Sequence, residues 1–217
     1  MQSLTEENYL KAIYLLTQKK DTKITPTAIA EKISVNPASV VDMIKKLSEK
    51  ELIEYNKLDG AKLTDTGSKL ALNIVRNHRL WEVFLSDKLG YSWDVVHEIA
   101  EQLEHIRHAE LSDRLDAFLG FPEYDPHGDP IPKSNGAVPN TFTTVLSDIE
   151  IGKKCQVVAV KDTSSIFLQY LQELNISIGT TLEVLAKIQF DGSMNILINS
   201  NSTTNVSKKF TENLLVD

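Results

Sequence analysis

"TPTAIAEKISVNPASVVDMIKKL", residues 25–47, decides the reading of the fold. Thr25 is placed to cap a helix, and Pro26 suits its first position, where an N–H would have no helical partner. Ile29 and Ile33 recur at helical spacing, "SVNP" interrupts the pattern, and Val40, Ile44 and Leu47 resume it on a second helix. Two short helices around a tight turn make a helix-turn-helix. Upstream, "EENYLKAIYLLTQ" (6–18) carries Tyr9, Leu10, Ile13 and Leu16 at helical spacing, with Thr5 and Asn8 as candidate caps. Downstream, the extended runs "LIEYN" and "AKLTDT" flank "KLDG", whose Asp-Gly signals a hairpin. The expectation is a helix-turn-helix with a two-stranded wing. Its second helix would lie in the major groove, with Pro37, Ala38, Ser39 and Asp42 at base edges. Lys45, Lys46, Lys57 and Lys62 would meet phosphates, which supply affinity but no sequence information. An acid at Asp42 would be repelled by phosphates unless it accepts from a cytosine amino group.

Charge supports that placement. The chain of 217 residues carries a net −7, which on average disfavours a nucleic-acid partner. The average hides a split: residues 1–79 hold 13 Lys/Arg against 10 Asp/Glu, a net of +3, and the remainder holds 10 against 20, a net of −10. One end is suited to an anion and the rest to something else. Nothing approaches the roughly 18 consecutive apolar residues of a membrane span. The N-terminus lacks the basic region and cleavage site of a signal peptide. A single cysteine, Cys155, excludes an internal disulfide framework and fits a reducing cytoplasm.

The second informative stretch is "HEIAEQLEHIRH", residues 97–108. On a continuous helix His97, Glu101, Glu104, His105 and His108 share one face, and Ile99, Ala100, Leu103 and Ile106 the other. All five histidines lie between 78 and 127. The preceding helix, expected over 66–89, sets His78 and Glu82 four residues apart, and the first helix offers Glu6, Glu7 and Asn8. A mixed oxygen and nitrogen donor set without sulfur suits Mn(II), Fe(II), Co(II) or Zn(II). The stretch contains neither H-E-x-x-H nor a Glu-x-x-His pair, so the simplest zinc protease and the di-iron bundle lack their signatures. A plain solvated face remains an alternative reading of the stripe, and a metal-dependent hydrolytic enzyme is another.

Further along, "ELSDRLDAFLG" reads as a helix capped by Ser112, and 121–141, with five prolines, as loop and linker. After 142 the runs "KKCQVVAV", "TLEVLAKI" and "MNILINS" are β-rich, with one helical piece, "SIFLQYLQELN", between them. The expected fold class is mainly α with a β-rich C-terminal domain. The expected divisions are a winged helix-turn-helix over 1–70, a helical domain over 71–128, a linker over 129–141 and a small SH3-like β-barrel over 142–217.

The winged helix, "NHRLWEVFL", "VHEIAEQLEH", "FPEYDPHGDPIP" and the β-rich tail, in that order, resemble the iron- and manganese-dependent repressors of the diphtheria toxin repressor type. The tail is similar to the SH3-like domain those regulators share with ferrous-iron transport accessory proteins. The resemblance implies a regulator, not an enzyme, that binds palindromic double-stranded operator DNA as a homodimer when Mn(II), or alternatively Fe(II), is bound. It implies a regulatory metal site at Asn8, Glu101, Glu104 and His105, with Glu7 as the substitute for Asn8 if the helix register shifts. A second site falls on His78, Glu82 and His97, to which Asp125, His127 and Asp162 contribute. The chain departs from both branches: iron-type members have a thioether at the Asn8 position and a thiol at Glu101, whereas manganese-type members have carboxylates at both. The physical logic is a clamp. A cation that prefers the DNA-competent arrangement about 100-fold shifts the equilibrium by roughly 2.7 kcal/mol. The apolar sides of the helices over 70–89 and 95–119 would pair two protomers, fixing the spacing of their reading heads.

Overall fold

Eight α-helices and seven strands follow one another in the computed structural model, which describes residues 2–18, 23–108 and 110–217. The chain divides into two compact units: Met1–His78 with Glu101–Arg114 and Pro132–Ala137, and Arg79–Ala100 with Leu115–Ile131 and Val138–Asp217. The helical segment 71–128 is therefore shared between them. Among the described residues no helix is long and apolar enough to cross a membrane.

The first unit begins with α1 (Leu4–Thr17), α2 (Pro26–Lys32) and α3 (Pro37–Glu49), followed by the hairpin β1 (Ile53–Asn56) and β2 (Gly60–Leu63). Thr25 caps α2 as expected, accepting from the Ala28 N–H, and Asn36 caps α3 from the "SVNP" turn. The cap of α1 is Ser3, not Thr5 or Asn8. Ser3 and Glu6 form a reciprocal capping box, which places two orphan donors at once. Val40, Ile44 and Leu47 of α3 close a core with Tyr9, Leu10, Ile13, Ile29, Leu52 and Ile53. Each such side chain removed from water contributes about 1.5–3 kcal/mol. The wing turn is held by Asn56, whose side-chain oxygen accepts from the Leu58 and Asp59 N–H groups.

α4 (Asp65–Asp87) supplies residues to both units. It is followed by α5 (Val96–Leu103) and α6 (Leu111–Leu119). Here the structure corrects two expectations. The stripe of 97–108 is not one helix, because α5 ends at Leu103. The Glu104 carbonyl, which a continuing helix would direct to residue 108, instead accepts from the Asn77 side chain at 3.1 Å. Ser112 lies inside α6, and its hydroxyl donates to the Asn77 amide oxygen.

The C-terminal part of the second unit is a five-stranded antiparallel sheet of order β6-β5-β4-β3-β7. The strands are β3 (Lys154–Val160), β4 (Thr181–Lys187), β5 (Met194–Ile198), β6 (Ser202–Val206) and β7 (Leu214–Val216). α7 (Ser165–Glu173) and the short α8 (Lys208–Glu212) cover one core with them, built on Val157, Leu168, Leu171, Leu182, Val184, Ile196 and Phe210. This is the expected SH3-like domain, with two strands and one helix beyond the sequence reading. β6 is a mostly exposed edge strand, "STTNV", and so lacks an apolar alternation to detect. β7 has only three residues.

Candidate metal centre and nucleic-acid interface

In the second unit, α4 directs Glu82 inward. The loop after α6 brings Asp125 and His127 to it. The three are buried, and one donor atom from each lies within 4.8 Å of the others. Local folding explains the loop. Asp125 Oδ1 accepts from the His127 N–H at 2.8 Å and the Asp129 N–H at 3.0 Å, which winds "DPHGD" into a tight turn. Gly128 takes φ +85° and lies flush against β3, with the position of a Cβ only 2.2 Å from the Val158 carbonyl oxygen. The His127 carbonyl then accepts from the Val160 N–H at 3.0 Å.

The imidazole of His127 is oriented from outside the cluster. Its Nε2 donates to the Trp93 carbonyl at 2.8 Å, and its ring stacks on the Trp93 indole at 6.2 Å. That leaves Nδ1 facing Glu82 Oε2 at 3.7 Å and Asp125 Oδ1 at 3.9 Å. The other oxygen of Glu82 lies 3.1 Å from His97 Nδ1. Burial works against the His127 imidazolium, but the hydrogen bond and charge of Glu82 and the charge of Asp125 outweigh it, raising its pKa to about 9. Asp125 is pushed well above the usual carboxylate range by burial and by Glu82 and Asp129, against the pull of Arg79 and His127. Arg79 is the one guanidinium at this loop among the described contacts, 3.6 Å from Asp125 and 3.3 Å from Asp129. Two buried carboxylates and an oriented imidazole converge on one point, with Arg79 beside Asp125. The chemistry of that donor set fits a divalent cation. Asp162 does not join the set; its carboxylate accepts from the Ser164 N–H at 2.9 Å. Cys155 is no thiolate donor, because burial in the barrel core pushes it up to about 11.

The first unit holds a different arrangement at the corner where α1 meets Glu101 and the turn after α5. Lys11, missed in the sequence reading, sits at its centre. Its Nζ donates to Glu104 Oε2 at 2.6 Å and Glu101 Oε1 at 2.8 Å, and lies 3.1 Å from His78 Nδ1. His78 Nδ1 is itself 2.5 Å from Glu104 Oε2. The signal was its spacing: Lys11 follows Glu7 by four residues and Asn8 by three, so all three share one face of α1. Glu7, not Asn8, meets His105, at 2.6 Å from Nδ1, and its other oxygen accepts from Arg107 at 2.7 Å. His105 Nε2 is 3.6 Å from Glu104 Oε1. Asn8 Oδ1 and Glu104 Oε1 are buried acceptors without a donor. Of the expected trio His78, Glu82 and His97, the last two lie 3.1 Å apart in the second unit. His108 is exposed beyond the helix end.

On α3, Pro37, Ala38, Ser39, Asp42, Lys45 and Lys46 are exposed, as are Lys57 and Lys62 of the wing. Lys46 has an internal partner as well. With Lys50 it holds the buried Glu6 carboxylate, at 2.9 and 2.8 Å. Asp42 is 3.9 Å from Lys45, a loose surface pair.

Comparison with known proteins agrees across the chain. Residues 1–61 match the N-terminal DNA-binding domain of iron-dependent repressors, 64–133 their metal-binding and dimerisation domain, and 144–217 the FeoA domain. The iron-dependent repressor IdeR of Mycobacterium tuberculosis is 32% identical over 128 residues, 59% of this chain and 55% of that protein, so the match spans about half of its length. The diphtheria toxin repressor of Corynebacterium diphtheriae is 28% identical over 193 residues, covering 83% of this chain and 84% of that one. A solved manganese-dependent transcriptional repressor in complex with manganese superposes with a TM-score of 0.88 at 36% identity, covering 97% of this chain and 98% of the other.

Proposed function

Because the chain belongs to the diphtheria toxin repressor family of iron- and manganese-dependent transcriptional regulators, we propose that it is a metal-dependent repressor that binds palindromic double-stranded DNA as a homodimer in the cytoplasm. Mn(II) is the proposed signal, with Fe(II) as the alternative. One observation carries the reading: a chain with an exposed helix-turn-helix also buries Glu82, Asp125 and His127 around a common point. A buried carboxylate pair is costly unless paired or bound to a metal, and a regulator that needs a cation has reason to keep one.

Glu82, Asp125 and His127 would hold the ion, with His97 on the second oxygen of Glu82. The bound cation supplies positive charge that neutralises the two carboxylates. Glu82 then anchors α4 to the "DPHGD" loop, Trp93 fixes the His127 tautomer, and Arg79 keeps Asp125 in place from outside. The donors are hard oxygens and imidazole, which suits Mn(II) and does not reject Fe(II). At the DNA, Pro37, Ala38, Ser39 and Asp42 would face base edges, and Lys45, Lys57 and Lys62 phosphates.

The test is an electrophoretic shift on the DNA upstream of the chain's own coding sequence, with Mn(II), Fe(II) under anaerobic conditions, Zn(II) and chelator compared. Retardation that requires Mn(II) or Fe(II) is expected, and its loss in Glu82→Gln with His127→Ala. Equal retardation with chelator would make the chain a metal-independent DNA-binding protein. No retardation under any condition would set the regulator reading aside.

A further inference from the structure

We propose that Lys11 is a built-in cation that takes the place of a divalent ion at the α1 corner, so that the chain binds one metal ion tightly per protomer, at Glu82, Asp125 and His127, and keeps α1 clamped whether or not metal is present. The inference rests on the metal-regulator reading above and adds which of the two donor clusters senses metal.

The argument is geometric. Three donor atoms, from two separate stretches of chain, converge on one Nζ: Glu104 Oε2 at 2.6 Å, Glu101 Oε1 at 2.8 Å and His78 Nδ1 at 3.1 Å. Glu104 is 1% exposed and Lys11 7%, so this is an interior ion pair and not a surface contact. Convergent oxygens and an imidazole nitrogen are what a divalent cation would use, but an ammonium already lies among them. A second cation placed on the same oxygens would be repelled at short range in a poorly screened site. What Lys11 leaves over is Asn8 Oδ1, Glu104 Oε1 and His105 Nε2, together with the second oxygen of Glu101 and the second nitrogen of His78, both of which belong to side chains that the ammonium already engages. Beyond those two, the remainder is one amide oxygen, one imidazole and the far oxygen of a carboxylate already neutralised. Asn8 adds no charge, and His105 is also drawn towards Glu7. The second unit differs in its geometry: two buried carboxylates and a histidine whose facing nitrogen is set by a backbone carbonyl lie within 4.8 Å of one another, and the Arg79 guanidinium stands 3.6 Å from Asp125, farther than Lys11 stands from any of its three partners.

The consequence is a division of labour. The corner that joins α1 to the end of α5 is held by a covalently attached charge, which no chelator removes. Metal dependence of DNA binding then comes from the Glu82 cluster.

The test uses the full chain, stripped of metal, with tightly bound Mn(II) counted per protomer by electron paramagnetic resonance and by elemental analysis after gel filtration. Wild type is expected to retain one equivalent, to lose it in Glu82→Gln with His127→Ala, and to keep it in Glu101→Gln. Lys11→Glu, which replaces the ammonium with a ligand, is expected to retain two. Lys11→Met should melt below wild type when metal-free, because it leaves buried carboxylate uncompensated, and Mn(II) should restore part of the difference. Two equivalents in wild type, one of them lost in Glu101→Gln, would overturn the proposal while leaving the metal-regulator reading intact. So would one equivalent that disappears in Glu101→Gln and survives in the Glu82 and His127 double variant. No tight Mn(II) or Fe(II) in either wild type or Lys11→Glu would remove both. The wild-type count and the Glu101→Gln arm decide the point even if the Lys11 variants fold poorly without metal.

Discussion

Glu6 shows how one residue ties a reading head to its support. It is 1% exposed, completes the capping box of α1 and accepts from Lys46 and Lys50 on α3 and just beyond it. Burial alone would raise its pKa, but the lysine hydrogen bonds and the Ser3 N–H outweigh it and bring it down to about 2. A depressed carboxylate stabilises the fold above its unfolded pKa and loses that contribution as pH falls through the folded value. Glu6 should therefore help fully above about pH 4.5 and fade towards pH 2. Glu6→Gln is expected to cost roughly 1–3 kcal/mol near neutrality and to flatten the acid limb of the stability curve, read by urea unfolding of the chelated protein across that range. Gly128 is the second residue whose role the chain's local chemistry dictates. At φ +85°, with β3 backbone where a Cβ would go, it admits no side chain without moving the loop that carries Asp125 and His127. Gly128→Ala should destabilise by roughly 2–4 kcal/mol and weaken Mn(II) binding about tenfold or more. Calorimetric melting and metal titration check both. Unchanged metal affinity would mean that the loop is not part of the site.

Among the elements, α3 divides its lysines between two tasks. Lys45 is exposed and only loosely paired, whereas Lys46 holds Glu6. Lys45→Ala and Lys57→Ala are expected to weaken DNA binding evenly across sequences, each reducing the slope of log affinity against log salt by about 1. Lys46→Ala should lower the unfolding midpoint as well, which the other two should not. Equal stability for all three would show that the Glu6 pair contributes nothing in solution. α5 teaches a different point. Its apolar and charged periodicity continues to His108, yet the helix stops at Leu103, because Asn77 takes the Glu104 carbonyl and Lys11 draws the Glu104 side chain inward.

For the whole molecule, the proposed homodimer requires a surface on which two copies meet. Leu89, Phe118 and Phe121 are 56%, 64% and 68% exposed, and Phe118 packs beside Phe84 of α4 and Lys88 just after it. Leu89 and Phe118 fall within the segments expected to pair protomers and Phe121 lies just beyond them, and large apolar side chains left in water there mark a contact surface. Phe118→Asp should weaken self-association roughly 30-fold or more and abolish the retardation of palindromic DNA, with metal binding retained. Sedimentation showing a dimer as tight as wild type would place the interface elsewhere.

The local features were legible in the sequence because each is set by residues near one another along the chain. Thr25 with Pro26, the "SVNP" turn, the Asp-Gly wing and the "DPHGD" loop carry their own turn and cap chemistry, and the apolar spacing of α1 to α4 announces which face is buried. The family followed from the order of those pieces. The edge strand β6 was silent because an exposed strand needs no apolar alternation. The partner of each charged group was also beyond the sequence. Spacing offered Glu101, Glu104, His105 and His78 as donors but could not say that an ammonium about ninety residues away in the chain would reach Glu101 and Glu104. Nor could it show Glu7 meeting His105, or Asn77 ending α5. Helical period decides which side chains share a face. Only packing decides which charges meet, because electrostatic pairing depends on distances of a few ångströms between residues that the chain brings together last.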